Sequence, residues 1–364
     1  MVTKNQHYVP QLLLRRFAVR SGREDRINVY DIVRGQMRQN QSIKEVCSGN
    51  YTYDKDNSVE NFLEKHIETP VAAELEKLAS PSPRLSSVPS STLLQFLLVQ
   101  LARTRQAYQG NIDFINSMMQ TVFAETARLN GRDVSVASQL RLEPKEPRAV
   151  LAYISVYAAT QYRLLADLAV SVIVNNTDEE FILSDHPIFQ HNWYLRDSNE
   201  LLANSITARG VQFFFPISPS VTCCLYDSSV YAYRSRSQCG VVIASLEDVR
   251  ILNSFQALNA EALLLAKSEK MFNTLQSLGA TYANTQAFTS SATYRPAEPV
   301  GDGTHLRSTH VVQRRQTRVS AMPSFIKVRN KVRRRPVECV HRCPDVVRIH
   351  ELLDQERGLR RNAL

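Results

Sequence analysis

The chain has 364 residues, 43% hydrophobic and 22% charged, with a formal net charge of +9. That balance suits a chain that buries a core as one large domain or two ordinary ones. No apolar run reaches 18 residues and LLQFLLVQLA is broken by Gln95 and Gln100, which excludes an apolar membrane-spanning helix. With no signal-peptide pattern at the basic start, a cytoplasmic location is expected.

The charge is concentrated at one end. Residues 301–364 hold 15 of the 44 Lys and Arg and 6 of the 35 Asp and Glu, leaving 29 of each sign in 1–300. Nucleic-acid binding is therefore expected of the tail rather than of the body. Six cysteines make no disulfide framework. Cys223 and Cys224, adjacent in the strand-like SVTCCLYD, are expected to point to opposite faces as small core hydrophobes.

In chain order, Pro10 suits the first turn of a helix, where its missing N–H would have no partner. A short helix is read over 10–18, offering Leu12, Leu13, Phe17 and Val19 for burial. RINVYD (26–31) reads as a strand, with a turn at Gly35 and a return through 36–40. A helical turn at 42–46 and an extended piece at 50–53 follow. Ser58 would cap a helix over 59–79 that Pro70 kinks or divides. PSPRLSSVPSS (81–91) is a linker by composition. A long helix is read from Thr92 to about Leu129, with Gly110 as its break, and another over 148–168.

Strand-like segments then take over at 170–176, 180–187, 211–219, 220–227 and 230–234. A helix over 245–264 follows, capped by Ser245, and a strand near 263–269. The fold class is α+β: a mainly helical N-terminal part with a small hairpin, then a mostly antiparallel sheet. Residues 1–285 form one domain, helical over 58–168 and strand-rich over 169–270. Residues 286–364 read as a basic, largely flexible tail, with a short helix at 345–361.

Five stretches carry a family resemblance. They are QHYVPQLLLRRF, VENFLEKHIE (59–68), LVQLARTR (98–105), FILSDHPI (181–188) with FFPISP (214–219), and VRILNSFQALNAEALLL (249–265). Over roughly residues 5–269 the chain resembles a bacterial family of unknown function, domain-of-unknown-function family 4238. His186 stands where the family more often has a small polar residue. The resemblance implies no activity, and the basic tail lies beyond it.

The polar residues of these motifs supply the candidate chemistry. His7, Arg103 and Asp185 are the candidate catalytic residues. Glu60 and Glu68 are candidate ligands for Mg²⁺ or Mn²⁺, since carboxylates beside a histidine can hold a hard divalent ion and activate water. Arg103 could steady a developing phosphate charge. Gln11, Gln100 and Asn253 are candidate substrate contacts. Lys327, Arg329, Arg333, Arg334 and Arg335 of KVRNKVRRRP would neutralise phosphates.

Each residue also has a structural reading. His7 can cap the first helix, Asp185 can hold a turn, and Arg103 can pair with Glu68 or Asp185. Glu60 and Glu68 can lie on a solvated helix face, and Asn253 can bridge backbone groups. No dinucleotide, P-loop, serine-hydrolase or H-E-x-x-H signature occurs. Two functions stand. One is a metal-dependent nucleic-acid hydrolase, which would fit a defence or toxin-like role. The other is a non-catalytic nucleic-acid or protein interaction module with a structural polar core. An open cleft joining the candidates would favour the first, and a sealed, mutually satisfied network the second.

Overall fold

The computed structural model describes residues 5–80, 83, 88–141, 143–234, 240–285, 288–300, 305–317, 319, 321–342, 348 and 352, without the side chains of 138, 288–300 and 305–315. Most of the linker expected at 81–91 and nearly all of the helix expected at 345–361 lie outside the described residues. The fold is α+β, but the N-terminal part opens with strands rather than helix. Asn5–His7 pairs antiparallel with Ser48–Asn50 around the short helix Gln11–Arg16.

Two sheets organise the body. In the first, Glu24–Asp31 is flanked by Val19–Ser21, Gln36–Ser42 and Leu263–Ala266, and the last also pairs with Leu183–Ser184. In the second, the order is Val241–Ala244, Ala169–Asn175, Val221–Tyr226, Gln212–Ser218, Phe189–His191. Its strands run antiparallel except Val241–Ala244, which lies parallel to Ala169–Asn175.

The second sheet has a core on each face, which explains why its strands read as continuous apolar runs. Phe213, Phe215, Cys223 and Leu225 join a core with Leu13, Leu14 and Phe17 of the first helix and Phe96 and Leu97 of the helix Ser91–Ala102. Phe214, Cys224 and Ile173 face the opposite way, onto Phe255, Trp193, Phe325 and Val332. The adjacent cysteines divide between the two cores, as strand alternation requires. Leu14 takes the buried place expected for Leu12, while Val19 is exposed.

One helix boundary differs from expectation and a second follows it. The long helix from Thr92 breaks at Arg103–Thr104, not at Gly110. It becomes Ser91–Ala102 and Arg105–Leu129, with the Thr104 side chain accepting from the Ala107 N–H as an N-cap. The helix over 59–79 is divided beside Pro70, as expected. It passes through a π-helical turn, Glu64–Glu68, between Ser58–Leu63 and Thr69–Leu78. Pro70 begins the last piece, where its missing N–H is tolerated.

Part of the segment read as flexible tail is built into the body. Residues 288–300 and 305–316 form an antiparallel hairpin. Ile326–Val328 pairs with Tyr231–Tyr233, and Phe325, Ile326 and Val332 are buried. These three apolar side chains, spaced among the cations, supply the anchoring that the basic composition hides. No helix among the described residues is long and apolar enough to cross a membrane.

Candidate functional site

His7 ends a three-residue strand that turns its imidazole inward. The ring Nε2 lies 3.1 Å from the Ile43 carbonyl. A carbonyl only accepts, so Nε2 carries the proton. Burial lowers the His7 pKa from its ordinary value, while Ile43 and Glu68 pull it back up. The ring is a satisfied core group (6% exposed).

A network runs outward from His7 and Tyr8. The Tyr53 hydroxyl donates to the His7 carbonyl at 3.1 Å, and Gln100 Nε2 donates to the Tyr8 carbonyl at 3.0 Å. Arg103 Nε donates to Gln100 Oε1 and Arg103 Nη1 to Glu68 Oε1, each at 2.8 Å. Gln100 and Arg103 share a face because they are three residues apart on one helical end. The π-helical turn ends at Glu68 and presents its carboxylate to the buried guanidinium. Glu60, one helical segment earlier, lies near the His7 backbone N–H, which favours its charged form. Burial pushes its carboxyl up to about 7, the nearby Arg103 opposes this, and Glu68 adds to it. The structure thus brings together His7, Glu60, Glu68, Gln100 and Arg103.

Asp185 belongs to a neighbouring cluster. Its two oxygens accept from the N–H groups of Glu261, Ala262 and Leu263 at 2.9, 2.8 and 3.1 Å. Burial raises its pKa to about 7, against the pull of those three N–H bonds. Tyr8 connects the clusters. Its carbonyl belongs to the Gln100 network, Asp185 acts on its hydroxyl, and Arg105 lies over its ring at 5.4 Å. No hydrogen bond or ion pair joins Asp185 to His7 or Arg103 among the described residues.

Asn253 stands with Gln256 and Asn259 on the helix Leu246–Asn259. Asn253 accepts from Ile182 N–H and donates to the Glu180 carbonyl. Gln256 accepts from Ser184 and donates to the Pro187 carbonyl, and Asn259 donates to the His186 and Ile188 carbonyls. These amides satisfy the backbone of 180–188, so only Leu183–Ser184 of the expected strand 180–187 joins a sheet. His186 in turn bonds Thr104 through Nδ1. Gln11 is half-buried and makes no side-chain hydrogen bond among the described residues.

The carboxylates do not fit a divalent ion. Glu68 is committed to Arg103, the same guanidinium lies beside Glu60, and a second cation there would meet its charge directly. Among the described residues, no three His, Cys, Asp or Glu form a metal-holding group.

The cations of the tail stand on a segment held by its buried anchors. Lys327, Arg329, Lys331, Arg333, Arg334 and Arg335 are exposed, and none forms an ion pair among the described residues. Arg329 Nε donates to the Ser228 and Tyr231 carbonyls, which fixes that side chain. Ser324 is tied to Asp248 through its N–H and hydroxyl. At the far end, Arg342 forks onto Asp167 at 2.7 and 2.9 Å and donates to the Leu164 and Ile206 carbonyls. Sequence reasoning missed Gln6 and Tyr53, which complete the His7 network. Gln6 directly precedes His7, and that adjacency was the available signal.

A family model described as "Protein of unknown function (DUF4238)" matches residues 5–270. No curated protein and no solved structure matches the chain.

Proposed function

The chain belongs to the DUF4238 family, and on that premise we propose that it is a non-catalytic module that binds nucleic-acid backbones through Lys327–Arg335, its motif residues forming a structural polar core. One observation carries this reading. Six exposed cations, free of acidic partners among the described residues, stand on a segment anchored by Phe325, Ile326 and Val332. A cationic segment whose backbone is already held loses little backbone freedom when it meets phosphates. Binding of this kind is electrostatic and indifferent to sequence. The stretch contains no aromatic residue between its cations, which argues against base stacking. Fluorescence anisotropy with labelled DNA and RNA oligonucleotides, wild type against a variant with the six cations changed to Ser, tests the reading.

A second reading has one observation in its favour. Glu60 is half-buried and holds its carboxyl near neutrality beside His7, as a general acid–base group would. In this reading Glu60 moves a proton during phosphodiester hydrolysis, while Arg103 and Gln100 position it. Nucleic-acid hydrolysis by wild type, lost in Glu60→Gln, would establish it. Equal activity in both would remove Glu60 from catalysis.

A further inference from the structure

The helix Arg105–Leu129 is the longest among the described residues, and none of its 25 residues is buried. It is not a polar helix. Ile112, Ile115, Met119, Val122, Thr126 and Leu129 follow one another at alternating spacings of three and four. That is the 3.5-residue repeat which aligns a narrow seam for a partner helix, rather than the broader face that meets a globular core. Ile115, Val122 and Leu129, seven apart, are exposed, as is Phe123 beside them.

The chain's own elements leave this face open. Tyr108 packs on the core near the start of the helix. The hairpin strand Phe288–Val300 lies against the helix, and the 3-10 turn Ser135–Gln139 folds back onto it, with Gln120 Nε2 donating to the Leu140 carbonyl at 2.8 Å. With these neighbours in place Leu129 is still 67% exposed, and the turn adds the exposed Val134, Val136 and Leu140. A gathering of exposed apolar side chains of this kind marks an interaction site.

Two features choose its occupant. Helices that lie on lipid carry Lys and Arg along the polar face. The polar positions here include Gln109, Asn111, Asp113, Asn116 and Gln120, which argues for a protein surface. The helix is also neutral, Arg105 and Arg128 balancing Asp113 and Glu125, in a chain of net charge +9. Two copies therefore repel least where these helices meet. A heptad seam can pack on a copy of itself, and a patch that does so is what a two-fold contact requires.

We propose that the chain forms a two-fold homodimer in which the helices Arg105–Leu129 of two copies pack along this seam. Ile115, Val122 and Leu129 supply the knobs, with Phe123 and Met118 flanking them. The contact uses no residue of Lys327–Arg335, so the inference goes beyond the backbone-binding reading and stands or falls separately. A dimer offers two such cationic segments to one nucleic acid.

Sedimentation velocity on the full chain tests it, with a dimer expected for the wild type at concentrations up to about 100 μM. Val122→Lys places two ammonium groups in the seam and is expected to weaken association at least about a hundredfold, with far-ultraviolet circular dichroism unchanged. Leu129→Lys, at the most exposed seam position, is expected to weaken association in the same direction. Val33→Lys, at an exposed valine outside the helix, and the variant lacking the six cations of 327–335 are expected to remain dimers. A wild type that is monomeric at about 100 μM would overturn the proposal. So would a dimer that both seam substitutions leave intact, or one that Val33→Lys dissociates equally.

Discussion

Arg103 Nη1 lies 2.8 Å from Glu68 Oε1, with the guanidinium 1% exposed and the carboxylate side chain 21% exposed. The pair is unequal: Glu68 can turn to water if its partner is lost, whereas Arg103 cannot. Removing one member of a buried pair costs about 3–5 kcal/mol because the other charge is stranded. Glu68→Gln keeps an acceptor for Arg103 but removes its counter-charge, and a loss of about 2–4 kcal/mol is expected. Arg103→Met, which strands only a partly solvated carboxylate but also empties the Gln100 bond, is expected to cost about 1–3 kcal/mol. Urea unfolding of the two variants measures the order, and Arg103→Met as the more damaging change would contradict it.

Glu60 gives the protein a pH dependence. Its pKa rises from 4.5 to about 7 on folding, so between those values the folded state holds more protons than the unfolded one. Its contribution is fully present below pH 4.5 and is lost as pH rises through 7. Glu60→Gln removes that loss. The stability of the variant relative to wild type is expected to grow by on the order of 1–3 kcal/mol from pH 5 to pH 8. His7, whose pKa is lowered, works in the opposite direction below its ordinary value, but it is common to both proteins and cancels. Thermal unfolding at pH 5, 6, 7 and 8 reads the difference, and a gap that stays constant would be the contrary result.

Asp185 holds the turn 261–263 through three N–H bonds. Asp185→Ala leaves those part-buried donors without their acceptor and is expected to cost about 1–3 kcal/mol, whereas Asp185→Asn retains one acceptor and is expected to cost roughly half as much. Chemical denaturation measures both. Near-wild-type stability of Asp185→Ala would show that the turn does not depend on the carboxylate.

Much of the site was legible. Gln100 and Arg103 on one helical face, and an ion pair from Arg103 to Glu68, follow from spacing and from the cost of burying a lone guanidinium. Asn253 as a backbone bridge was equally readable. The expected strand over 180–187 failed because amide side chains 70 residues away satisfy its backbone, and no local pattern reports that. The break at Arg103–Thr104 was hidden by continuous helix-forming residues, although Thr104 is a good N-cap. The tail misled through composition: Phe325, Ile326 and Val332 are few, but each is buried against the sheet. Anchors of that kind are set by tertiary contact, not by average hydropathy.

The anchoring of the cationic segment has its own test. Phe325 packs edge-on against Tyr233, with ring centroids 5.4 Å apart. Phe325→Ala is expected to free the Ile326–Val328 strand at a local cost of about 3 kcal/mol. Hydrogen exchange should then quicken at the amides of 326–328 while those of 221–226 remain protected. Unchanged protection at 326–328 would show that the segment is held by other means.

The most direct measurement is the salt dependence of oligonucleotide binding by the full chain. With four to six phosphates neutralised by Lys327–Arg335, the observed affinity for duplex DNA should fall with a log–log slope of roughly −4 to −5 in salt. Changing the six cations to Ser should remove most of that slope and most of the affinity, with the same effect on every oligonucleotide sequence. Wild-type affinity and slope in the substituted chain, or no salt-dependent binding by the wild type, would contradict the nucleic-acid reading.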